Sequence, residues 1–289
     1  MNTYREFIDA ITQAVEEAKS LHLGGMEPCV TQTPSDDAPR ALIFSPHPDD
    51  ECIIGTLPLR LLREDGFQVV NVAVTQGSRK DRQQERFEEL EQACRFLGFS
   101  LLQTKEGGLE KIKPETRQAE PEHWKKCTEK VKTILESQNP QLIFLPHAED
   151  WNGTHIGTHY LIMDALAKMP NDFSCILVET EYWQPMTEPN LLVECSAELL
   201  ADLVAGLSHH KGEVARNPYH LLLPAWMQDN VRRGSELIGG QGGDALDFYF
   251  AAIYRLKLWE KGKVDNAKLA PTIIDAETTP LTALRSVLD

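Results

Sequence analysis

The run Pro46-His47-Pro48-Asp49-Asp50-Glu51 gathers residue types that hold metal ions and move protons. An imidazole beside adjacent carboxylates in one tight turn suits a borderline-soft divalent ion, with one carboxylate as ligand and another free to act on a bound water. The run follows an apolar stretch of strand type at 41–45 and leads at once into helical periodicity. Its prolines restrict the turn, and the free N–H groups of a helix start favour acids there. Taken alone, the acids could be helix caps and His47 a turn filler. A second cluster weighs against that: the apolar stretch 141–145 is followed by His147, His155 and His159. Two polar clusters at the same ends of separate parallel strands converge.

The elements that must deliver these residues alternate along the chain. Strand-type stretches at 41–45, 68–75, 99–103, 141–145 and 175–181 are separated by helical periodicity at 53–64, 82–97, 122–137, 155–168 and 198–210. This alternation predicts an α/β fold, a parallel or mostly parallel doubly wound sheet with helices on both faces, whose ligands gather at the carboxyl ends of the strands. Residues 3–19 read as an amphipathic helix with Phe7, Ile8, Ile11 and Val15 near one stripe. We therefore expect a helical extension and linker over 1–39, a single catalytic domain over 40–265, and a tail over 266–289 that wraps the surface. The charged stretch 104–121 and the stretch 217–244, which contains GGQGGD, are expected as rim loops. Residues 248–258 are apolar and fit helix or strand equally.

With 289 residues, 42% hydrophobic and 25% charged types, the chain can bury an enzyme-sized core. Its formal net charge of -15 opposes nucleic acid and anionic lipid as partners, though a local basic pocket is compatible with it. No stretch is long and apolar enough to span a bilayer, and the first residues lack the apolar core of a signal peptide. Six scattered cysteines with no C-x-x-C pair suit reduced thiols and a cytoplasmic location. No G-x-G-x-x-G run follows Phe44 or Val74, which argues against dinucleotide binding.

The run P-H-P-D-D-E after a strand resembles the signature of the LmbE-like, or PIG-L, deacetylases. The likeness continues in Thr75-Gln76-Gly77-Ser78 and in the spacing of Arg86, Glu89, Ala93, Leu97 and Gly98, and it covers most of residues 40–211. The helix before residue 40 lies outside it. The resemblance implies a Rossmann-like fold and a zinc-dependent N-deacetylase acting on an N-acetylated amino sugar or its conjugate, with another divalent metal chemically acceptable. It implies His47, Asp50 and His155 as metal ligands and Asp49 as the residue that takes a proton from water. Asn152 stands where the family has a second histidine.

That departure leaves the oxyanion and the leaving amine to be served otherwise. Asn152 could donate an amide hydrogen bond but no proton. His159, one helical turn after His155, could reach the site or serve packing. His147 could be a rim ligand or a loop histidine held by Asp150 or Glu149. The segment Gly206 to Glu213 resembles the family's A-x-x-x-H-x-S-Q, which makes His210 a reserve acid, although Gly212-Glu213 replaces S-Q. Arg86 and Arg79 are candidate substrate contacts, and Trp151, Trp183 and Trp226 candidate stacking platforms. The competing readings are a metal-containing sugar-binding protein without catalysis and a hydrolase of a different amide. Homo-oligomer formation is compatible with the sequence, with GGQGGD as one place for it.

Overall fold

The computed structural model describes residues 2–30, 34–265 and 269–288. Helix α1 (Arg5–Ala18) precedes β1 (Arg40–Ser45), α2 (Asp50–Ile53), α3 (Thr56–Asp65), β2 (Gln68–Ala73), α4 (Gln83–Leu97) and β3 (Ser100–Gln103). Helices α5 (Pro114–Ala119) and α6 (Pro121–Gln138) lead to β4 (Leu142–Pro146), α7 (Gly153–Leu166) and β5 (Cys175–Thr180). The last third holds β6 (Leu191–Glu194), α8 (Ala197–Ser208), α9 (Lys211–Val214), α10 (Tyr219–Leu237) and β7 (Ala251–Glu260). It ends with β8 (Lys263–Val264), β9 (Thr272–Ile274) and α11 (Pro280–Leu288).

The strands form one mixed sheet in the order β3-β2-β1-β4-β5-β7-β6-β9, with β8 paired to β7. From β3 to β5 every pairing is parallel. Strand β7 runs antiparallel to both neighbours, and β9 lies parallel to β6. The chain leaves β1 toward β2 and β3 but leaves β4 toward β5, so the crevice between the carboxyl ends of β1 and β4 is the switch point where such sheets bind ligands. Successive residues of β1 feed opposite layers: Ala41 and Ile43 pack with Leu59, Leu90 and Leu203, whereas Leu42 and Phe44 pack with Leu135 and Leu161. Burial on both faces explains why this strand reads as an unbroken apolar run.

Several expectations need correction. The stretch 217–244 is not a loop: most of it is α10, nineteen residues long. Pro224 and the many polar residues disguised it, but His220, Leu223, Met227, Asn230 and Gly234 recur every three or four residues and form its buried face. Residues 53–64 do not form one helix, because the chain breaks at Ile54 and Gly55 between α2 and α3. The apolar stretch near 248–258 is a strand. The tail does more than wrap the surface, since β9 extends the sheet beside β6 and α11 packs on α3. Residues 266–268 and 289 of that tail lie outside the described residues.

Helix α7 fits close against the 110–113 segment through Gly157, where an added Cβ would stand 2.4 Å from the Ile112 carbonyl oxygen. Backbone cannot yield as a side chain end does. Gly157→Ala is therefore expected to cost about 1–3 kcal/mol of stability, read as a lower denaturation midpoint. An unchanged midpoint would mean that this segment moves aside freely.

Candidate metal centre

The turn after β1 places Asp49 at φ 114°, a left-handed conformation unusual for a residue with a side chain. Two hydrogen bonds fix the turn. The Asp49 N–H donates to Glu51 Oε2 at 3.0 Å, and the His47 N–H donates to Asp50 Oδ2 at 2.8 Å. Glu51 is itself fully buried and accepts from His210 Nε2 at 2.7 Å and from the Cys52 thiol at 3.2 Å. Across the switch point, Asn152 caps α7 by accepting from the Thr154 N–H at 2.9 Å, which sets His155 in the first turn of that helix.

His47, Asp50 and His155 come together at the floor of the crevice. His47 Nδ1 lies 3.2 Å from His155 Nε2, and Asp50 Oδ2 lies 3.4 Å and 3.5 Å from those two nitrogens. A tetrahedral ion with bonds of about 2.0–2.1 Å requires ligand atoms about 3.3–3.4 Å apart. The three edges match that requirement, and a set of three protein ligands leaves a position for water or substrate. The other nitrogen of His155, Nδ1, stands 3.5 Å from Asp150 Oδ2. Asp150 is held by the N–H groups of Asn152 and Trp183, and a carboxylate behind a liganding histidine fixes its tautomer and raises its basicity. Burial alone would raise the Asp50 carboxyl, but His155 and His47 outweigh it and hold Asp50 below its ordinary range.

A second group, Glu51, Cys52 and His210, also brings three ligand types together. Its Glu51–His210 separation of 2.7 Å is that of a hydrogen bond and too short for two ligands of one ion, so this trio braces the turn. Asp49 is different. Burial first, and then the neighbouring charge of Asp50, raises its carboxyl well above the ordinary range, opposed by Arg86 at 3.7 Å.

The pocket above the triad has a volume of about 220 Å³. Arg86, Glu213 and Arg216 form its charged side, and Trp183, Tyr219 and Trp226 its aromatic side. Arg86 is fixed by donating to the Pro48 carbonyl at 2.8 Å, and it lies against Gly77, whose φ of 79° and missing Cβ make room for it. Asn152, Gly77 and Ser78 continue into an adjoining groove of about 420 Å³ with Lys80, Lys111 and Lys113 on its walls.

Other expected residues lie elsewhere. His159 is buried with Nδ1 2.9 Å from the Pro146 carbonyl and 3.8 Å from Glu179; it serves packing and does not line the pocket. His210 faces Glu51 and is fully buried, which removes it as a proton donor to substrate. Arg79 pairs with Asp81 on the surface, and Trp151 is 73% exposed; neither lines the pocket. His147 is a loop histidine held by Glu149, through its N–H, and by the Gln184 carbonyl. Arg216 and Tyr219 escaped notice because α10 and the turn before it read as a loop, and Glu213 was noted only as a departure from the family's S-Q.

Residues 42–166 match the family described as PIG-L, GlcNAc-PI de-N-acetylase. No curated protein matches the chain. Among solved structures, the N,N'-diacetylchitobiose deacetylase of Pyrococcus horikoshii is 16% identical, with 89% of this chain and 93% of that one covered at a TM-score of 0.56. The conserved protein TT1542 of Thermus thermophilus is 19% identical over 74% and 93%, at 0.54. GalB, the 4-carboxy-2-hydroxymuconate hydratase of Pseudomonas putida, is 14% identical over 75% and 95%, at 0.57. Such identities establish a shared fold alone, and the hydratase marks that fold as a host for more than one chemistry. The match to the PIG-L, or LmbE-like, family covers 125 of the 289 residues and takes in all three members of the His47–Asp50–His155 triad.

Proposed function

We propose that the protein is a zinc-dependent hydrolase that removes the acetyl group from an N-acetylated amino sugar or its conjugate. The observation that carries this reading is Asp49, a buried carboxylate beside the triad but outside its ligand set. A protein that only held a metal and a sugar would have no use for it. A zinc ion at His47, Asp50 and His155 would supply a Lewis acid and lower the pKa of water, and the borderline-soft N/O set favours it.

Asp49 accepts a proton from the attacking water as its oxygen bonds to the acetyl carbon. Asn152 uses Oδ1 as a helix cap, and its amide N–H₂ has no protein partner among the described residues, which leaves it to donate to the oxyanion. When the C–N bond breaks, the proton on Asp49 passes to the departing nitrogen, giving acetate and a free amine. With His159 and His210 committed elsewhere, Asp49 serves as both base and acid. The pocket's aromatic side suits the C–H face of a sugar ring and its charged side suits hydroxyls. The adjoining groove would take whatever the sugar carries.

Among the described residues no helix is long and apolar enough to cross a membrane. All six cysteines are free, which supports assignment to the reducing cytoplasm.

The test is acetate release from a panel of N-acetylated amino sugars by zinc-loaded protein, with N-acetylated amino acids as the comparison panel. Release from the sugars alone supports the reading. Release from the amino acids alone assigns a different amide, and zinc binding without any release favours the sugar-binding alternative. The Asn152 role has its own test. Asn152→Asp and Asn152→Ser both retain an N-cap but lack the amide donor, so kcat is expected to fall about 10²–10³-fold with little change in stability. Equal activity would remove Asn152 from the mechanism.

A further inference from the structure

Helix α1 lies outside the matched residues and contributes nothing to the metal centre. Its apolar side chains share one stripe, yet no residue of the helix is buried. Phe7 and Ile8 are 62% and 55% exposed, and Tyr4 just before the helix is 73% exposed. Between the stripe and helices α8 and α10 lies an apolar cleft of about 690 Å³. Its lining is mostly larger apolar residues such as Ile11, Leu23, Met26 and Phe250, interspersed with the alanines Ala14 and Ala18 of α1, Ala201 and Ala205 of α8, and Ala225 of α10. A helix of this length is marginal in water without an apolar face to pack on, and a large apolar surface left to solvent marks an interaction site.

We propose that this face joins two copies of the chain, with their α1 helices antiparallel across a two-fold axis. Shape is the first argument. Exposed large side chains sit at the start of α1 and the apolar cleft runs beside its last two turns, so antiparallel pairing lays Tyr4, Phe7 and Ile8 over the partner's cleft. Area is the second. The exposed apolar side chains of this face, with Leu21 and Leu222 at its edge, present on the order of 700 Å², near the roughly 800 Å² that each partner of a standard interface buries. The polar side of α1 is mainly acidic, with Glu6, Asp9, Glu16 and Glu17, which opposes an anionic lipid surface as the occupant.

Sedimentation velocity on the full chain at about 20 μM, where a standard-sized interface is populated, is expected to give twice the 32.5 kDa chain mass. Ile8→Glu is expected to weaken the dimer by about 10–100-fold while the far-UV circular dichroism of the chain stays unchanged, because that side chain is exposed in the single chain. A mixture of Ile8→Cys and Val15→Cys proteins should form a disulfide-linked heterodimer on oxidation, with much less cross-linking of Ile8→Cys alone. A monomer at that concentration overturns the proposal, as does a dimer indifferent to Ile8→Glu. So do equal cross-linking by Ile8→Cys alone and a monomer that binds phosphatidylcholine vesicles through α1.

Discussion

Asp49→Ala is expected to lower kcat by about 10²–10⁴-fold, or roughly 3–5 kcal/mol of barrier, while the protein still binds one metal ion. The separation of effects follows from the position of Asp49. Its carboxylate stands beside the triad but supplies none of the three ligand atoms. Its nearest cation, Arg86, is 3.7 Å away and is already committed to the Pro48 carbonyl. Asp49→Asn is the sharper variant. It preserves size, tolerates the left-handed backbone at φ 114°, and retains the N–H that donates to Glu51, but it cannot accept a proton. It also removes a buried negative charge next to Asp50. Stability should therefore stay level or rise while activity is lost, the signature of a strained residue kept for function. Full activity in the Asn variant would place the base elsewhere and leave the buried carboxylate unexplained.

How much of this was legible before the fold was known differs by region. The β1 turn was the clearest, because a buried strand, two prolines, a histidine and three acids are all local signals, and residues 41–55 carry the candidate ligands His47 and Asp50. The convergence with His155 also followed from alternation alone, since parallel strands put their carboxyl ends together. Roles that depend on side-chain direction were less accessible. His159 shares α7 with His155 at one-turn spacing, yet its ring is drawn under the sheet end by the Pro146 carbonyl and toward Glu179, whose carboxylate Arg255 and Lys257 also hold. Two of those partners come from β7, a strand the pattern could not separate from a helix. His210 shows the same limit. Its partner Glu51 is 159 residues away, and only the packing of α8 against α2 joins them. The pocket's far wall was hidden for a third reason, because Pro224 and a polar surface suppress the helical signal of α10 while tertiary packing supplies its stability.

The ligand set and its support should separate cleanly in metal affinity. His155→Ala removes one of three ligand atoms, and metal binding should fall below one equivalent at micromolar protein. Activity should be lost, and added metal should not restore it. Asp150→Asn leaves all three ligands in place but replaces the carboxylate 3.5 Å from His155 Nδ1. An Asn side chain can satisfy the Asn152 and Trp183 N–H donors with only one oxygen, where Asp150 uses two. The imidazole then loses both its fixed tautomer and its added basicity, for an expected fall of about 10–100-fold in affinity. Saturating metal should recover most of the activity of this variant, a rescue that His155→Ala cannot show. Competition against a chromogenic chelator measures both affinities in one format. Wild-type affinity in His155→Ala would mean that the ion binds away from the triad. The buried Glu51, Cys52 and His210 would then have to part to admit it, and Cys52→Ser would become the variant that loses metal.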